Sequence, residues 1–452
     1  MRADILDPGS PSRVTVAQLV DDARLGPLHW RVLLLCTLVL MLDGYDLAAM
    51  GFAIPALSRD LGIPAASFGF ALSASFVGVA IGSLVAGPLG DRYGRRAAIL
   101  ASFTLVGAAT LATTTASTLH EFEIWRFVTG LGMGGVVPNA VALVSEYMPL
   151  RRRSFLVVAA FSSAAFGSFA GSLMSARLLT HFGWQIVFAV GGIGPLAITT
   201  LAYFRLPESL HFLVNHARLH QAAKLASQLR PGVQVSESAL VAHARPLSRV
   251  PVAELFVGMR RRATLLLWVL FIGTQALVFF MGSWLATLLT QIGMPMGRAL
   301  VALSFFHLGS LLVGLFVAWQ SDRRSPEKML AVTYLVAACS LALLAAGGAH
   351  SAAVYVLCFT AGGGIVGASF CLGALASSYY PPSIRAMGLG WGLSVGRIGS
   401  VTSPLLGGLA LGAGWPVGSI LAVAIVPALV CAVTVIALFA IRQRVFAEQL
   451  AV

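Results

Sequence analysis

The sequence predicts an all-α membrane protein with twelve transmembrane helices in two six-helix halves. Of the 452 residues, 58% are hydrophobic and only 10% are charged, and the mean hydropathy is +0.87. Soluble globular domains carry about 25% charged residues. Apolar runs long enough to cross a bilayer recur along the whole chain between short polar breaks, which is typical of membrane-spanning helices. The composition therefore excludes an ordinary soluble fold.

Twelve apolar runs are predicted to span the membrane. They cover 29–56, 68–90, 96–117, 120–146, 154–180, 184–204, 264–291, 297–320, 328–347, 351–379, 384–411 and 415–441. The longest break follows the sixth run and divides the spans into two sets. We therefore expect five parts: an N-terminal segment (1–28), a first six-helix half (29–204), a central loop (205–263), a second six-helix half (264–441) and a C-terminal tail (442–452).

The distribution of charge predicts the orientation in the membrane. A formal net charge of +13 could indicate a nucleic-acid-binding protein, but no compact basic domain lies outside the spans, so no nucleic-acid partner is expected. Most of the thirty Lys and Arg residues lie on one side of the membrane; the exceptions are Arg59 and Arg298 opposite and Arg126, Arg177 and Arg397 within spans. Because basic loops stay in the cytoplasm, both termini are predicted to be cytoplasmic.

The two halves contain the same motifs at a constant offset. When residue n is set beside residue n+231 or n+232, GDRYGRR (90–96) meets SDRRS (321–325), and SEYMPLRRRS (145–154) meets SSYYPPSIRA (377–386). FGS at 166–168 meets IGS at 398–400, and Met50-Gly51 meets Met281-Gly282. One offset for four pairs indicates that a six-helix unit was duplicated. Parallel halves with a binding site between them are typical of secondary transporters.

Charged residues inside the spans do not follow this repeat. Asp43 and Asp46 in LDGYD, and Arg397 in span eleven, fall on uncharged residues of the other half. Loop motifs that are repeated in both halves are expected in the parts that move during transport. Charges that occur in only one half are expected to bind the substrate and a coupling ion.

Asp43 and Asp46 are the candidate proton-coupling residues. Their i, i+3 spacing puts them on one face of a helix, and a charged Asp at mid-depth of the bilayer costs about 2.5–3.5 kcal/mol. Such residues face an aqueous cavity, pair with a cation or bind a proton, and two neighbouring carboxylates bind a proton more readily than one. The alternative is a structural ion pair with Arg126 or Arg397. Gly44, between the two acids, permits close helix approach or a local break.

Arg397 and Arg126 are the candidate anion-binding residues. Arg397 lies among small residues in GLSVGRIGSVTSP. A guanidinium group stays protonated when buried and offers a carboxylate two parallel hydrogen bonds. Arg126 lies about one and a half turns into span four, so it could instead reach the outer surface or pair with Glu123.

The loop after span two resembles the signature of the major facilitator superfamily, Gly-x-x-x-Asp-Arg-x-Gly-Arg-Arg. The first copy is complete and the second is degenerate, without the later glycine and basic pair; the matching residues are Gly87, Asp91, Arg92, Gly94, Arg95 and Arg96, then Asp322 and Arg323. Four further motifs are together similar to the aromatic acid:proton symporters of that superfamily: LDGYD in span one, RFVTGLGMGGVVPNAVALVSEYMP in span four, PESLHFL after span six and GRIGSVTSPLLGG in span eleven.

The resemblance implies the superfamily fold and import of an aromatic carboxylate with a proton across a bacterial inner membrane, by a monomer without metal or cofactor. It also implies that the loop after span two latches the outward-facing state. Glu146 is a candidate partner in that network, and the degenerate second copy is expected to latch more weakly. Export, or symport of another organic acid or a sugar, stays open. An enzyme or a membrane sensor is disfavoured, because the chain shows no clustered metal ligands, no nucleotide-binding motif and no soluble signalling domain.

Further substrate contacts are predicted within the spans. Asn139 and Gln275 could bind a hydroxyl or carboxylate, although amides also link membrane helices. Some aromatic residues could stack on the ring of a substrate, although aromatic residues are also common in cores and at membrane interfaces; the candidates are Tyr45, Phe279, Trp284 and Trp391.

Overall fold

Within the described residues, twelve long helices make up most of the structure. The computed structural model describes residues 14–21, 23–229, 240–241, 251–258, 260–321, 325–347, 352–381 and 383–450. The long helices are α1 (Pro27–Leu61), α2 (Phe68–Tyr93), α3 (Arg95–Thr113), α4 (Leu119–Tyr147), α5 (Leu150–Phe182), α6 (Gln185–Arg205), α7 (Arg260–Gln291), α8 (Met296–Ser321), α9 (Pro326–Ala345), α10 (Val354–Ser378), α11 (Arg385–Gly412) and α12, in two segments (Val417–Val423 and Ile425–Leu450). The predicted all-α class is confirmed.

Shorter elements lie before α1, between α1 and α2, and between α6 and α7. In the part of the chain that the structure describes, they are three helices (Val16–Asp21, Leu210–Asn215 and Leu219–Leu229), two 3₁₀ helices (Ala65–Ser67 and Val252–Phe256) and two strands, β1 (Val14–Thr15) and β2 (Leu240–Val241), which pair in parallel.

The helices begin and end at residues that favour helix ends. Pro27 occupies the first turn of α1, and Gly62, with φ +67°, ends it, as expected for a first-turn proline and a C-terminal glycine. Thr118 and Glu121 form a reciprocal capping box at the start of α4. The first predicted span (29–56) lies within α1, which continues to Leu61 and ends at Gly62.

Hydropathy alone does not identify α11 as a membrane helix. Eleven helices within the described residues are long and apolar enough to cross a membrane, and α11 is not one of them. Its 28 residues nevertheless span ~42 Å at 1.5 Å per residue. The helix is rich in Gly and Ser, because its small residues pack closely on α7, where a Cβ on Gly396 would lie 3.2 Å from Gln275 Cγ.

The repeat extends to the packing of helix against helix. In the first half α1 packs on α5 and α2 on α4; in the second half α7 packs on α11 and α8 on α10. Each contact uses a glycine whose added Cβ would clash with a facing backbone carbonyl, and the glycine–carbonyl pairs keep the sequence offset: Gly167·Met41 with Gly399·Ile272, Gly130·Ser75 with Gly362·Phe306, and Gly78·Phe127 with Gly309·Phe359. Small residues allow such close approach between membrane helices.

The two halves also approach each other closely near one end of the bundle. We call the end where α2 meets α3 the basic end, after Arg92, Arg95 and Arg96. The close approach lies at the opposite end, at Gly51·Gly282, Ala66·Gly408 and Ala176·Gly297.

Candidate functional site

Asp46 is held in a buried ion pair inside the first half. Arg126 Nη2 donates to Asp46 Oδ2 at 3.2 Å, and Thr110 Oγ1 donates to Asp46 Oδ1 at 2.9 Å. Arg126 also donates to Thr110 Oγ1 at 3.3 Å, so the three side chains form a closed triangle between α1, α3 and α4. The side chains of Asp46 and Arg126 are 0% and 2% exposed, so water and salt screen this pair little.

Asp43 lies one turn before Asp46 but has different surroundings. Its carboxyl group is buried, and Oδ1 has no hydrogen-bond partner among the described residues. Arg397, which is half-buried on α11, acts on Asp43 electrostatically from the second half. Asp46 therefore has an ion pair within its own half, whereas Asp43 has no ion pair among the described residues, and the cation that acts on it is Arg397 of the second half.

Gly44 fixes the position of the two acids by close packing. An added Cβ would clash with the backbone of Ala164 on α5, and the Gly44 carbonyl accepts a 2.7 Å hydrogen bond from Ser168 Oγ. Of the two roles that the sequence allows for Gly44, the structure shows close approach, because α1 is continuous through this point.

Arg126 turns inward rather than toward Glu123 or the outer surface. Its guanidinium carbon lies 5.6 Å from the centre of the Phe188 ring on α6, while Glu123 lies 3.4 Å from His120 Nδ1. Sequence reasoning missed Thr110 and Phe188 in this cluster. A hydroxyl in an apolar helix is too common to single out Thr110, and Phe188 carries no local signal.

The remaining predicted substrate residues do not gather at one place. Gln275 lies on α7 beside Gly396, the neighbour of Arg397. Asn139 is 13 residues from Arg126 on α4, ~20 Å along the helix axis. Its amide donates to the carbonyl oxygens of Ala86 (3.2 Å) and Gly135 (2.8 Å). The structure therefore joins Gln275 to the Arg397 region and gives Asn139 a helix-linking position.

Two of the predicted aromatic contacts point elsewhere. The Tyr45 hydroxyl donates to the backbone oxygen of Val187 at 2.8 Å, and its ring is 4% exposed. Trp391 is stacked on Trp268 of α7, with ring centroids 6.2 Å apart, and is 41% exposed. Trp391 also lies six residues from Arg397, which puts the two side chains on different faces of α11.

The loop motif forms an ion network within the first half. Arg95 Nη2 lies 2.5 Å from Asp91 Oδ1, and Arg95 Nε lies 3.6 Å from Glu146 Oε1. Arg95 Nη1 also donates to Asn139 Oδ1 at 3.2 Å. The exposed Arg92 lies over the Tyr93 ring at 5.4 Å. Glu146 is thus part of the network, and Arg92 is outside it.

Gly94 brings this network to the segment after α6. It has φ +105°, and its lack of a side chain admits the Glu208 carboxylate. The backbone N–H of Arg96 donates to Glu208 Oε1 at 3.0 Å, and Tyr147 donates to the Glu208 backbone oxygen at 2.6 Å. Glu208 lies in PESLHFL, a motif that the sequence singles out without assigning this role. Gly87, by contrast, faces open space.

The second half has a network of reversed charge. Asp322 and Arg323, the degenerate loop copy, lie outside the described residues. The offset sets Glu327, at the start of α9, beside the basic pair at the start of α3. Arg442 Nη1 on α12 donates to Glu327 Oε1 at 2.7 Å, and the Tyr379 hydroxyl donates to the same oxygen at 3.1 Å. An acid thus occupies a position where the first half has a base.

Comparisons with known proteins agree with this architecture. Residues 36–404 match the Major Facilitator Superfamily model. The chain is 35% identical to the 4-hydroxybenzoate transporter PcaK of Pseudomonas aeruginosa, over 92% of this chain and 94% of that one. It is 34% identical to a gallate transporter of Pseudomonas putida, over 91% and 92%. The xylose transporter XylE of E. coli shares its fold, with a TM-score of 0.68 and 17% identity over 90% of this chain and 97% of that one. A family match over most of the chain and twelve helices in repeated halves lead to one conclusion: this multi-pass membrane protein belongs to the Major Facilitator Superfamily of transporters.

Proposed function

We propose that this protein is a proton-coupled symporter that imports an aromatic carboxylate across the bacterial inner membrane, by alternating access between its two halves. The names of the relatives that transport 4-hydroxybenzoate and gallate support the aromatic carboxylate class. The basic end, with Arg92, Arg95 and Arg96, would face the cytoplasm together with both termini. The carrier would act as a monomer and without a cofactor.

The observation that carries the proposal is the unequal pairing of Asp43 and Asp46. The ion pair of Asp46 with Arg126 lies within one half, so it can persist while the halves rock. Asp43 has no ion pair among the described residues, and we take Arg397 of the other half, whose charge acts on it, as its compensating cation. A substrate carboxylate that binds Arg397 competes with Asp43 for that cation.

This competition couples the substrate to a proton. A buried carboxylate without a cation is costly, so occupation of Arg397 by the substrate favours protonation of Asp43. In the proposed cycle, Asp43 would pair with Arg397 in the empty carrier and would be protonated in the loaded carrier. Neither state would then leave a carboxylate without a proton or a cation. The carrier with substrate but without a proton has such a charge, and it would not reorient.

The test is uptake of labelled 4-hydroxybenzoate into proteoliposomes, with and without an inward proton gradient, beside exchange of labelled for unlabelled substrate at equal pH. Asp43→Asn should lose gradient-driven accumulation and keep exchange. Asp46→Asn should lose both, because it leaves Arg126 buried without its partner. Asp60→Asn is the matched control, since Asp60 pairs with the exposed Arg59. Accumulation by Asp43→Asn equal to that of the parent protein would falsify the coupling mechanism.

Competition in the same vesicles tests the substrate class. Excess benzoate or gallate should reduce uptake of the labelled acid, whereas excess of an aliphatic acid or of xylose should not. Stronger competition by xylose or by an aliphatic acid would contradict the proposal and favour a sugar or aliphatic acid symporter instead.

A further inference from the structure

We infer that Phe76 and Phe279 form the surface that binds the ring of the substrate. This inference rests on the proposed function, because it takes the carboxylate to be bound at Arg397. Phe76 belongs to α2 of the first half and Phe279 to α7 of the second. Their ring centroids lie 4.4 Å apart with the planes inclined at 55°, so they form an aromatic contact between the halves.

The register between α2 and α11 brings Phe76 to the level of Arg397. The Ser73 hydroxyl donates to the backbone oxygen of Val401 at 2.8 Å, and a Cβ on Gly69 would lie 3.2 Å from Pro404 O. Residue numbers fall along α11 as they rise along α2, so the two helices run antiparallel here. The next turn of α2, which contains Phe76, therefore meets the turn of α11 that contains Arg397.

A face of α7 that contacts both α11 and the first half places Phe279 in the same region. Gln275, Phe279 and Gly282 have i, i+4, i+7 spacing and share one face of α7. Gln275 lies beside Gly396, next to Arg397, and Gly282 lies against Gly51. Phe279 is thus four residues, about 6 Å along the helix axis, from Gln275.

The other aromatic candidates are engaged elsewhere. The indole N–H of Trp284 donates to Pro404 O at 3.0 Å, and the side chain is fully buried. Tyr45 is bonded to Val187, and Trp391 stacks on Trp268. Phe279, which is half-buried at the interface between the halves, is therefore the candidate that can meet a ring whose carboxylate is bound by Arg397. Phe76 is 2% exposed and packs against Phe279 from the first half.

Aromatic contacts of this kind distinguish an aromatic ring from a saturated one. Edge-to-face and tilted ring pairs add stabilisation beyond the area that they bury. A saturated ring fills similar space without that contribution. Benzoate should therefore bind better than cyclohexanecarboxylate, and the difference should depend on Phe76 and Phe279.

The experiment compares benzoate with cyclohexanecarboxylate as competitors of labelled 4-hydroxybenzoate uptake in proteoliposomes. Phe279→Leu and Phe76→Leu keep an apolar side chain and remove the ring. We expect the preference for benzoate to fall roughly 2- to 12-fold in each variant. Phe161→Leu is the matched control, because Phe161 of α5 and Phe370 of α10 form another aromatic contact between the halves, with centroids 6.1 Å apart; there the preference should stay.

Each outcome decides the inference. The inferred ring-binding surface is wrong if both variants keep the parental preference for benzoate. It is also wrong if the parent protein does not discriminate between the two acids. If a variant no longer transports, the preference is measured instead as the protection that each acid gives against thermal unfolding in detergent. If benzoate protects the variant better than cyclohexanecarboxylate by the same margin as in the parent protein, the inferred ring-binding surface is wrong. If the parent protein takes up no aromatic acid, the proposed function fails, whereas parental uptake with unchanged variant preference refutes the ring surface alone.

Discussion

Arg126 and Asp46 show how a charged pair is retained inside a helix bundle. Both side chains have lost their water, so each depends on the other and on Thr110 for its polar partners. Replacing both members of such a pair with apolar residues is often neutral, whereas removal of one leaves an uncompensated buried charge. The ion pair therefore stabilises the contact between α1 and α4 only when both residues are present.

The first prediction concerns this pair. Arg126→Leu should lower the free energy of unfolding by about 3–5 kcal/mol, because Asp46 stays buried without a cation. Arg126→Leu combined with Asp46→Leu should recover most of that loss. Thermal unfolding of the purified protein in detergent measures both effects.

The exposed pair of Arg59 and Asp60 supplies the control. Arg59→Gln should change the melting temperature little, since surface pairs contribute at most about 1 kcal/mol. A double variant of the buried pair that is as unstable as Arg126→Leu would show that the lost packing of Arg126, and not the unpaired charge, is the cause.

Single residues in this chain were only partly predictable from the sequence. Asp43 and Asp46 could be predicted as functional because a carboxylate in an apolar span is energetically costly. That signal is visible in the local sequence. The choice of Arg126 as the partner of Asp46 is not local, since it depends on the rotation of α4 about its own axis. Tyr45 belongs to the same motif as the acids, yet its bond to Val187 depends on the approach of α6.

The connection between α2 and α3 at the basic end depends on the backbone conformation of Gly94. Gly94 joins α2 to α3 with φ +105°, where other residues are strained, and its hydrogen atoms leave room for the Glu208 carboxylate. This contact places the Glu208 carboxylate, in the segment after α6, where it accepts a hydrogen bond from the backbone N–H of Arg96. The loop motif thus connects α2, α3 and the segment after α6, in addition to carrying a group of charges.

The second prediction compares the two glycines of this motif. Gly94→Ala should destabilise the protein by about 1–3 kcal/mol, because the backbone conformation is unfavourable for alanine and the methyl group meets Glu208. Gly87→Ala should be neutral or stabilising by up to about 1 kcal/mol, since Gly87 lies within α2 and a Cβ there meets no atom within 4 Å. Melting temperatures in detergent measure both; equal losses in the two variants would count against the Glu208 contact.

The networks at the basic end also show a limit of motif reading at the level of elements. The sequence repeat predicts a weaker copy of the first loop in the second half. That copy lies outside the described residues; the described structure shows a different connection, an ion pair between Glu327 at the start of α9 and Arg442 on α12. These residues are 115 positions apart, and no local pattern links them, so only the folded chain reveals the reversed pair.

At the scale of the whole molecule, the contacts between the halves follow the repeat. The sequence offset relates Ala66·Gly408 to Gly297·Ala176, and it relates Gly51 to Gly282, which contact each other. A pair of equivalent residues in mutual contact must lie close to the pseudo-twofold axis. Closure at this end therefore uses one axial contact and two flanking contacts, all between small residues whose backbones can meet.

The last prediction tests this closure by adding one methyl group on either side of the axial contact. A Cβ on Gly51 would clash with the backbone oxygen of Gly282, whereas a Cβ on Gly282 meets no atom within 4 Å. Gly51→Ala should therefore disfavour the closed arrangement and slow uptake, and Gly282→Ala should not.

The readout is the alkylation of a cysteine introduced as Ser73→Cys, a buried position where α2 meets α11, in a background with the exposed Cys339 replaced by serine. A membrane-impermeant maleimide added at the end opposite the basic end should react several-fold faster in Gly51→Ala than in Gly282→Ala. The two variants differ only in the side of the contact that carries the methyl group, so equal rates would mean that Gly51 and Gly282 separate and meet without controlling access. Faster alkylation in Gly51→Ala alone would identify the axial glycine contact as the element that must close before the basic end can open.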